Sequence, residues 1–172
     1  MSTLVDHQIR DLCRTSGLVE PFEPDNINPA SIDISLGSQI LVEGRICGPE
    51  DERIRWRSVD IDNGFVLAPG QFILAHSLEM IRVPNWIEGT FHLKSSRGRE
   101  GLNHLLSGYI DPGFSGRLTL ELQNVNQRHG IELCAGMLIG QLRFNKLEVS
   151  PVKSYAFTGR YMNDLTVTPS KG

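Results

Sequence analysis

Short stretches in which apolar and polar residues alternate recur along most of the chain, and turn-forming residues such as glycine and proline separate them. The pattern is strictest over 31–37, where Ile32, Ile34 and Leu36 are separated by polar residues, and this period of two predicts a half-buried strand. Further strands are predicted over 39–42, 64–67, 71–76, 79–83, 87–94, 117–123, 131–133 and 138–144. Many short strands joined by turns are typical of an all-β barrel or a jelly-roll-like sandwich.

The two ends of the chain depart from this pattern. Val5, Ile9, Leu12 and Cys13 share one face of a 3.6-residue period, which predicts a short helix over 4–16 that ends at Gly17. Residues 153–172 are polar with scattered aromatic side chains, so we expect a tail or lid that packs no core. We interpret 1–172 as one domain, with 1–152 as the β-core and its N-terminal helix.

Composition narrows the class of protein. The 172 residues are 40% hydrophobic and 22% charged, as in ordinary globular proteins, and a net charge of −3 argues against general nucleic-acid binding. Cys13, Cys47 and Cys134 share no CxxC or Cys/His spacing, so neither a disulfide framework nor a zinc site is predicted. The sequence lacks an apolar run of about 18 residues and a signal-peptide pattern. We therefore expect a soluble cytoplasmic protein that does not bind membranes.

The segment 117–123 offers a candidate for acid–base chemistry. Leu118, Leu120 and Leu122 would share the core face of a strand, while Glu121 would lie on the opposite, polar face. That face is either exposed to solvent or lines a crevice covered by another segment or subunit. In a covered crevice, Glu121 would be suited to proton transfer.

Two segments concentrate arginine. The segment 95–101 combines hydroxyls, guanidinium groups and glycines, and it predicts either a loop that cradles phosphate or a plain arginine-bearing turn. Its candidate residues are Ser95, Ser96, Arg97, Gly98 and Arg99, preceded by Lys94. It lacks the GxxxxGK[ST] pattern of a Walker loop. Within 43–63, the spacing of Arg53, Arg55 and Arg57 indicates either a basic stripe on a strand or a solvated loop.

Several segments, taken in order, resemble the dCTP deaminase branch of the dUTPase-like superfamily. They are 27–33, the Lys94-Ser95-Ser96 segment with Arg99, 110–116, 118–122, 136–141 and the tail from Arg160 to Lys171. The resemblance covers nearly the whole chain. It implies a dUTPase-like distorted jelly-roll or β-barrel, a homotrimer with sites at subunit interfaces, and a deoxynucleoside triphosphate bound with Mg²⁺ and without zinc.

The resemblance also implies roles for single residues. Glu121 matches the glutamate that activates water for attack on C4 of cytosine, and Ser95 and Arg99 match residues beside it. Substrate-binding positions are matched by Lys94, Ser96, Arg97, Gly98, Asp111, Gln141, Tyr155, Arg160, Asp164 and Lys171.

The activity implied is hydrolytic deamination of dCTP to dUTP and ammonia, which feeds dUMP and dTTP synthesis. Asp111 lies where dUTPase relatives carry a water-activating aspartate, so a dUTP pyrophosphatase or a bifunctional enzyme that forms dUMP is the alternative. A non-catalytic nucleotide-binding homologue is a second alternative.

The chain departs from the family pattern in two places. The segment 103–109 is one residue shorter than usual, and Leu106 and Ser107 stand near the usual Thr-Ala that helps to hold the water. In the tail, Asp164 and Thr166 occupy positions where the family usually has Gln and Gly. An ionised aspartate only accepts hydrogen bonds, so Asp164 bears on which base is recognised.

Overall fold

The structure is a computed structural model, and it describes residues 2–44 and 56–172. Strands dominate it, which agrees with the predicted all-β class. In chain order the strands are β1 (Ser2–Thr3), β2 (Val19–Glu20), β3 (Ile27–Asn28), β4 (Ser31–Ser35), β5 (Gln39–Glu43), β6 (Trp56–Asp60), β7 (Phe65–Leu67), β8 (Phe72–Arg82), β9 (Ile87–Leu93), β10 (Leu102–Asn103), β11 (Tyr109–Ile110), β12 (Ser115–Asn124), β13 (Ile131–Leu133) and β14 (Leu138–Lys146). The helices of this part of the chain are α1 (Asp6–Ser16), α2 (Ser95–Arg99) and α3 (Tyr155–Thr158), with a 3₁₀ turn at Pro24–Asn26.

The described strands form two six-stranded sheets and one two-stranded sheet. The first large sheet has the order β11-β9-β14-β4-β3, with β1 also paired to β14. The second has the order β10-β12-β8-β5-β6, with β2 also paired to β8. The pairs of strands are antiparallel. Within the described ranges neither large sheet closes on itself, so the jelly-roll-like arrangement consists of open sheets.

One hydrophobic cluster joins both large sheets and α1. Ile9, Ile34, Ile73, Leu122 and Phe144 are fully buried in it. Burial of a side chain of this size stabilises a fold by about 1.5–3 kcal/mol. The period-two pattern of the sequence therefore determines which face of each strand points inward, including the face of β12 that points away from the core.

Strand β8 is longer than the sequence pattern predicts. Two strands were expected over 71–76 and 79–83, but one strand runs from Phe72 to Arg82. The break expected between the two strands corresponds to an irregularity in the pairing of β8 with β12. There Arg117 lies opposite Met80, and Thr119 lies opposite His76. The Ser77 hydroxyl accepts a hydrogen bond from the backbone N–H of Leu118 at 2.9 Å there. A side chain thus replaces a backbone partner, and the chain does not need to turn.

The prediction that 31–37 is half-buried is wrong. All five residues of β4 are buried, because β14 and β3 flank the strand and polar partners satisfy its polar side chains. Ser31 donates a hydrogen bond to Gln141 at 2.8 Å, and Asp33 accepts one from Asn28 at 2.9 Å. A buried polar group with such partners avoids most of the cost of desolvation.

The predicted N-terminal helix is confirmed, with its first residue at Asp6 rather than at position 4, and Gly17 follows it in the left-handed conformation at φ 63°. Two other predictions need correction. Ser95–Arg99 is a short helix rather than an open loop. The tail contributes to the packed interior, since Ser154 and Val167 are buried and Tyr155 packs against the main cluster.

Of the predicted arginine stripe, Arg53 and Arg55 lie outside the described residues, and Arg57 is exposed on β6. No helix in the described part of the chain is long and apolar enough to cross a membrane.

Candidate functional site

A cavity of about 750 Å³ lies against the polar face of β12. Its wall comes from β12, from the segment before it, from the tail, and from strands β6 and β8. The lining residues are Trp56, Phe72, Leu74, Ser107, Tyr109, Ile110, Asp111, Phe114, Arg117, Leu118, Thr119, Glu121, Tyr155, Tyr161, Asp164, Thr168, Pro169 and Ser170. Of the two interpretations of the 117–123 segment, the structure therefore fits a polar face that lines a crevice.

Strand alternation positions Glu121 at this wall. Leu120 and Leu122 are buried on the core side, so the side chain of Glu121 points to the other side. The Ser107 hydroxyl donates a hydrogen bond to Glu121 Oε2 at 2.6 Å. A carboxylate held at one oxygen keeps the other available for proton transfer.

Asp111 lies in the same wall at a tight turn. The backbone N–H of Phe114 donates to the Asp111 carbonyl at 3.1 Å, and Gly113 has a φ of 88° that favours glycine. Partial burial raises the pKa of the Asp111 carboxyl above its ordinary value of 3.8. A carboxylate with a raised pKa accepts a proton more readily, as a general base requires.

His104 lies just before Ser107 and contributes apolar packing. Its ring makes an edge contact with Phe91, with 5.4 Å between the ring centroids. Burial, and next the nearby His92, lowers the pKa of His104 below its ordinary value of 6.5. The imidazole is therefore mostly uncharged at neutral pH.

The tail forms the remaining side of the cavity and pairs with the beginning of β12. The backbone N–H of Asn163 donates to the Ser115 carbonyl at 2.7 Å, and that of Arg117 donates to the Asp164 carbonyl at 2.8 Å. At its start, the Tyr155 N–H donates to the Pro112 carbonyl at 3.0 Å. These contacts hold the tail next to both Asp111 and β12.

The predicted tail residues do not all reach the cavity. Tyr155 and Asp164 line it, whereas Arg160 and Lys171 do not. Lys171 Nζ instead donates to the Asp164 carboxylate at 2.9 Å and to the Arg160 carbonyl at 3.0 Å. The cation of Lys171 is thus bound within the tail.

The predicted phosphate-binding segment lies apart from this cavity within one chain. None of Lys94, Ser95, Ser96, Arg97, Gly98, Arg99 and Gln141 is among the lining residues. Lys94 forms an ion pair with Asp33, Arg97 pairs with Glu100 at 2.8 Å, and Gln141 accepts the hydrogen bond from Ser31. A single chain therefore brings Asp111, Glu121, Tyr155 and Asp164 together, but not with Ser95 and Arg99.

Some lining residues were not among the predicted site residues. Arg117 is the only lysine or arginine among the described lining residues, and its Nη1 donates to the Leu165 carbonyl at 3.3 Å. Its place on the polar face of 117–123 was visible in the sequence. Ser107 and Tyr161 had no periodic signal, because they belong to irregular segments.

The described residues contain no group of three His, Cys, Asp or Glu side chains that could hold a metal ion.

The fold is of the class found in the 2'-deoxycytidine 5'-triphosphate deaminases. It is similar to the crystal structure of that enzyme from Agrobacterium tumefaciens, with a TM-score of 0.68 and 25% sequence identity. The similarity covers 84% of this chain and 48% of that one, so this chain spans about half the length of the Agrobacterium protein.

Sequence comparison gives the family itself. The family described as "dCTP deaminase-like" matches residues 3–147, and the chain belongs to that family. A protein of Methanoculleus marisnigri named "dCTP deaminase, dUMP-forming" is 43% identical over 84% of this chain and 81% of its own. A protein of the same name from Aquifex aeolicus is 38% identical over 98% of this chain and 93% of its own.

Proposed function

We propose that this protein deaminates dCTP and hydrolyses the triphosphate, so that dCTP and two waters give dUMP, ammonia and pyrophosphate. The observation that carries the proposal is the presence of two carboxylates, Asp111 and Glu121, in the wall of one cavity. Each hydrolysis needs a group that removes a proton from water, and the cavity supplies one for each. The names of the relatives from Methanoculleus and Aquifex favour dUMP as the product over dUTP, the product first expected.

Glu121 serves the deamination. In its ionised form it takes a proton from water as the oxygen adds to C4 of cytosine. It delivers this proton to N3. It then takes the proton of the new C4 hydroxyl and passes it to the departing amine, which leaves as ammonia while the C4 carbonyl forms. Proton transfer by a positioned side chain typically contributes about 10²–10⁴-fold to the rate.

Asp111 serves the second hydrolysis. It takes a proton from the water that attacks the α-phosphorus, and pyrophosphate leaves. The raised pKa of its carboxyl suits it to this role. The turn at 111–113 and the adjoining tail keep this carboxylate at the cavity rather than in open solvent.

The triphosphate requires more positive charge than one chain provides at the cavity. Arg117 is the sole basic residue among the described lining residues, and α2 with Ser95 and Arg99 lies elsewhere. We propose that a second copy of the chain supplies α2 in a homotrimer, so that Ser95, Ser96, Gly98 and Arg99 meet the nucleotide. Mg²⁺ bound through phosphate oxygens would neutralise part of the charge.

Mixing two inactive variants tests this assembly. Ser95→Ala chains and Glu121→Gln chains, unfolded and refolded together, should regain part of the wild-type activity if each site uses two copies. Activity that stays at the level of the separate variants would contradict a shared site.

Product analysis tests the reaction. The protein is incubated with Mg²⁺ and dCTP, and in a second reaction with dUTP, and nucleotides, ammonia and pyrophosphate are quantified. We expect dUMP, ammonia and pyrophosphate from dCTP. Release of dUTP and ammonia alone would support a deaminase without the second activity, and unchanged dCTP would support a non-catalytic nucleotide binder. We expect the enzyme to act on the cytoplasmic nucleotide pool.

A further inference from the structure

We infer that Ser107 is a positioning residue for Glu121, an inference that rests on the proposed deamination. The Ser107 hydroxyl lies 2.6 Å from Glu121 Oε2, and no other side chain in the described part of the chain donates a hydrogen bond to this carboxylate. The donor therefore holds the carboxylate through Oε2 and leaves Oε1 available for proton transfer.

The backbone around Ser107 is strained in a way that this contact explains. Leu105 and Leu106 have φ values of 54° and 61°, in the left-handed region that a leucine rarely adopts. Leu106 is 88% exposed, so no burial of its side chain compensates for the strain. Strain that persists without local compensation is often found at functional sites. Here the two residues turn the chain so that Ser107 faces Glu121.

Both ends of the strained segment are fixed. On the N-terminal side, Asn103 pairs with Gln123 of β12, and its side chain accepts a hydrogen bond from the Leu105 N–H at 3.1 Å. On the C-terminal side, the Gly108 carbonyl accepts a hydrogen bond from the Phe91 N–H at 2.7 Å. A Cβ at Gly108 would lie 2.4 Å from the Phe91 carbonyl oxygen, so only glycine fits this approach. These anchors leave Ser107 little freedom to move away from Glu121.

Other groups near Glu121 do not replace this donor. His104 has a pKa lowered mainly by burial, and its Nδ1 has no partner among the described residues. The other titratable or charged groups of the cavity wall are Tyr109, Asp111, Arg117, Tyr155, Tyr161 and Asp164. All of them are retained when Ser107 is changed, so a changed pH profile would report the lost hydroxyl.

The test compares the ammonia-releasing activity of Ser107→Ala, Ser107→Cys and Ser107→Thr with that of the wild type, at saturating and limiting dCTP and across pH. Ser107→Ala should lower kcat by about tenfold or more, with KM within about twofold, since the variant loses a hydrogen bond to a charged group. The dependence of kcat on pH should differ between Ser107→Ala and the wild type. Ser107→Thr, which keeps the hydroxyl, should retain most of kcat, while Ser107→Cys should resemble Ser107→Ala.

Ser58→Ala is the matched control, because Ser58 is exposed on β6 and does not line the cavity. If Ser107→Ala does not fold, Ser107→Cys gives the same comparison with nearly unchanged volume. A kcat and pH profile equal to those of the wild type, or an equal loss in Ser107→Thr, would overturn the inference. A wild-type protein that releases no ammonia would instead overturn the proposed function.

Discussion

The Asp164 carboxylate accepts two hydrogen bonds of 2.9 Å from the Lys171 ammonium, within the tail that borders the cavity. The Thr168 hydroxyl adds a third hydrogen bond at 2.9 Å, and the same ammonium lies 4.9 Å from the centroid of the Tyr161 ring. The expectation from sequence was that Asp164 bears on base recognition. That expectation stays a prediction. Because the Asp164 carboxylate accepts these hydrogen bonds within the tail, we also propose that Asp164 acts on the substrate by shaping the tail.

Asp164→Asn should therefore loosen the tail more than it unfolds the protein. The Lys171 side chain is 40% exposed, so the pair contributes only about 0.5–1 kcal/mol to the free energy of unfolding. We expect KM for dCTP to rise several-fold and trypsin to cleave faster after Lys153 and Arg160. Lys171→Ala should have the same effects. Asp62→Asn, at an exposed position away from the cavity, is the control, and an unchanged KM and cleavage rate in Asp164→Asn would contradict this role.

Leu106 offers a test of backbone strain. Asparagine tolerates the left-handed region better than leucine, and Leu106 is exposed, so Leu106→Asn loses little apolar burial. We expect the free energy of unfolding to rise by about 0.5–1 kcal/mol, measured by urea denaturation. Leu165→Asn makes the same change at an exposed leucine that has no positive φ, and it should not stabilise the protein. Equal effects of the two substitutions would argue against strain at Leu106.

Glu79 predicts a pH dependence of stability. Its carboxylate is buried and accepts hydrogen bonds from the Ser35 N–H at 3.0 Å. Burial raises the pKa of Glu79 above its ordinary value of 4.5, while the Ser35 backbone and the Arg117 charge act in the opposite direction. Because the pKa of Glu79 is raised in the folded state, its contribution to the free energy of unfolding is fully present below the ordinary pKa of 4.5. That contribution is lost as the pH rises through the folded-state pKa.

Glu79→Gln should remove the loss of stability that ionisation of Glu79 causes as the pH rises. We therefore compare the free energy of unfolding of the variant with that of the wild type by urea denaturation at pH 4 and at pH 7. The difference, variant minus wild type, should be more positive at pH 7 than at pH 4. His76, whose pKa is lowered by burial, titrates in both proteins, so its effect largely cancels in the difference. Glu132→Gln, at an exposed position on β13, is the matched control. A constant difference between Glu79→Gln and the wild type would contradict the prediction.

The strands could be predicted from the sequence because one face of each strand is buried. Apolar residues therefore recur at every second position along the chain. Glu121 was placed correctly on the face opposite Leu118, Leu120 and Leu122 for the same reason. The failed prediction for β4 has a different cause. Its polar residues are buried with partners far along the chain, such as Lys94, which lies 61 positions from Asp33. No local pattern reports such a pair.

Ser107 and the tail were harder to interpret from the sequence. Their positions depend on turns and on long-range contacts, such as the hydrogen bond between the Arg117 N–H and the Asp164 carbonyl. The resemblance to the family assigned Ser95 and Arg99 to the site, but their separation from Glu121 within one chain became visible only in the folded structure.

The division of work between Asp111 and Glu121 is tested most directly by the products that Asp111→Asn forms from dCTP and Mg²⁺. We predict that this variant still releases ammonia but accumulates dUTP, while Glu121→Gln binds dCTP and loses at least about 10²-fold of its ammonia release. Formation of dUMP by Asp111→Asn at the wild-type rate, or near-normal ammonia release by Glu121→Gln, would contradict the account.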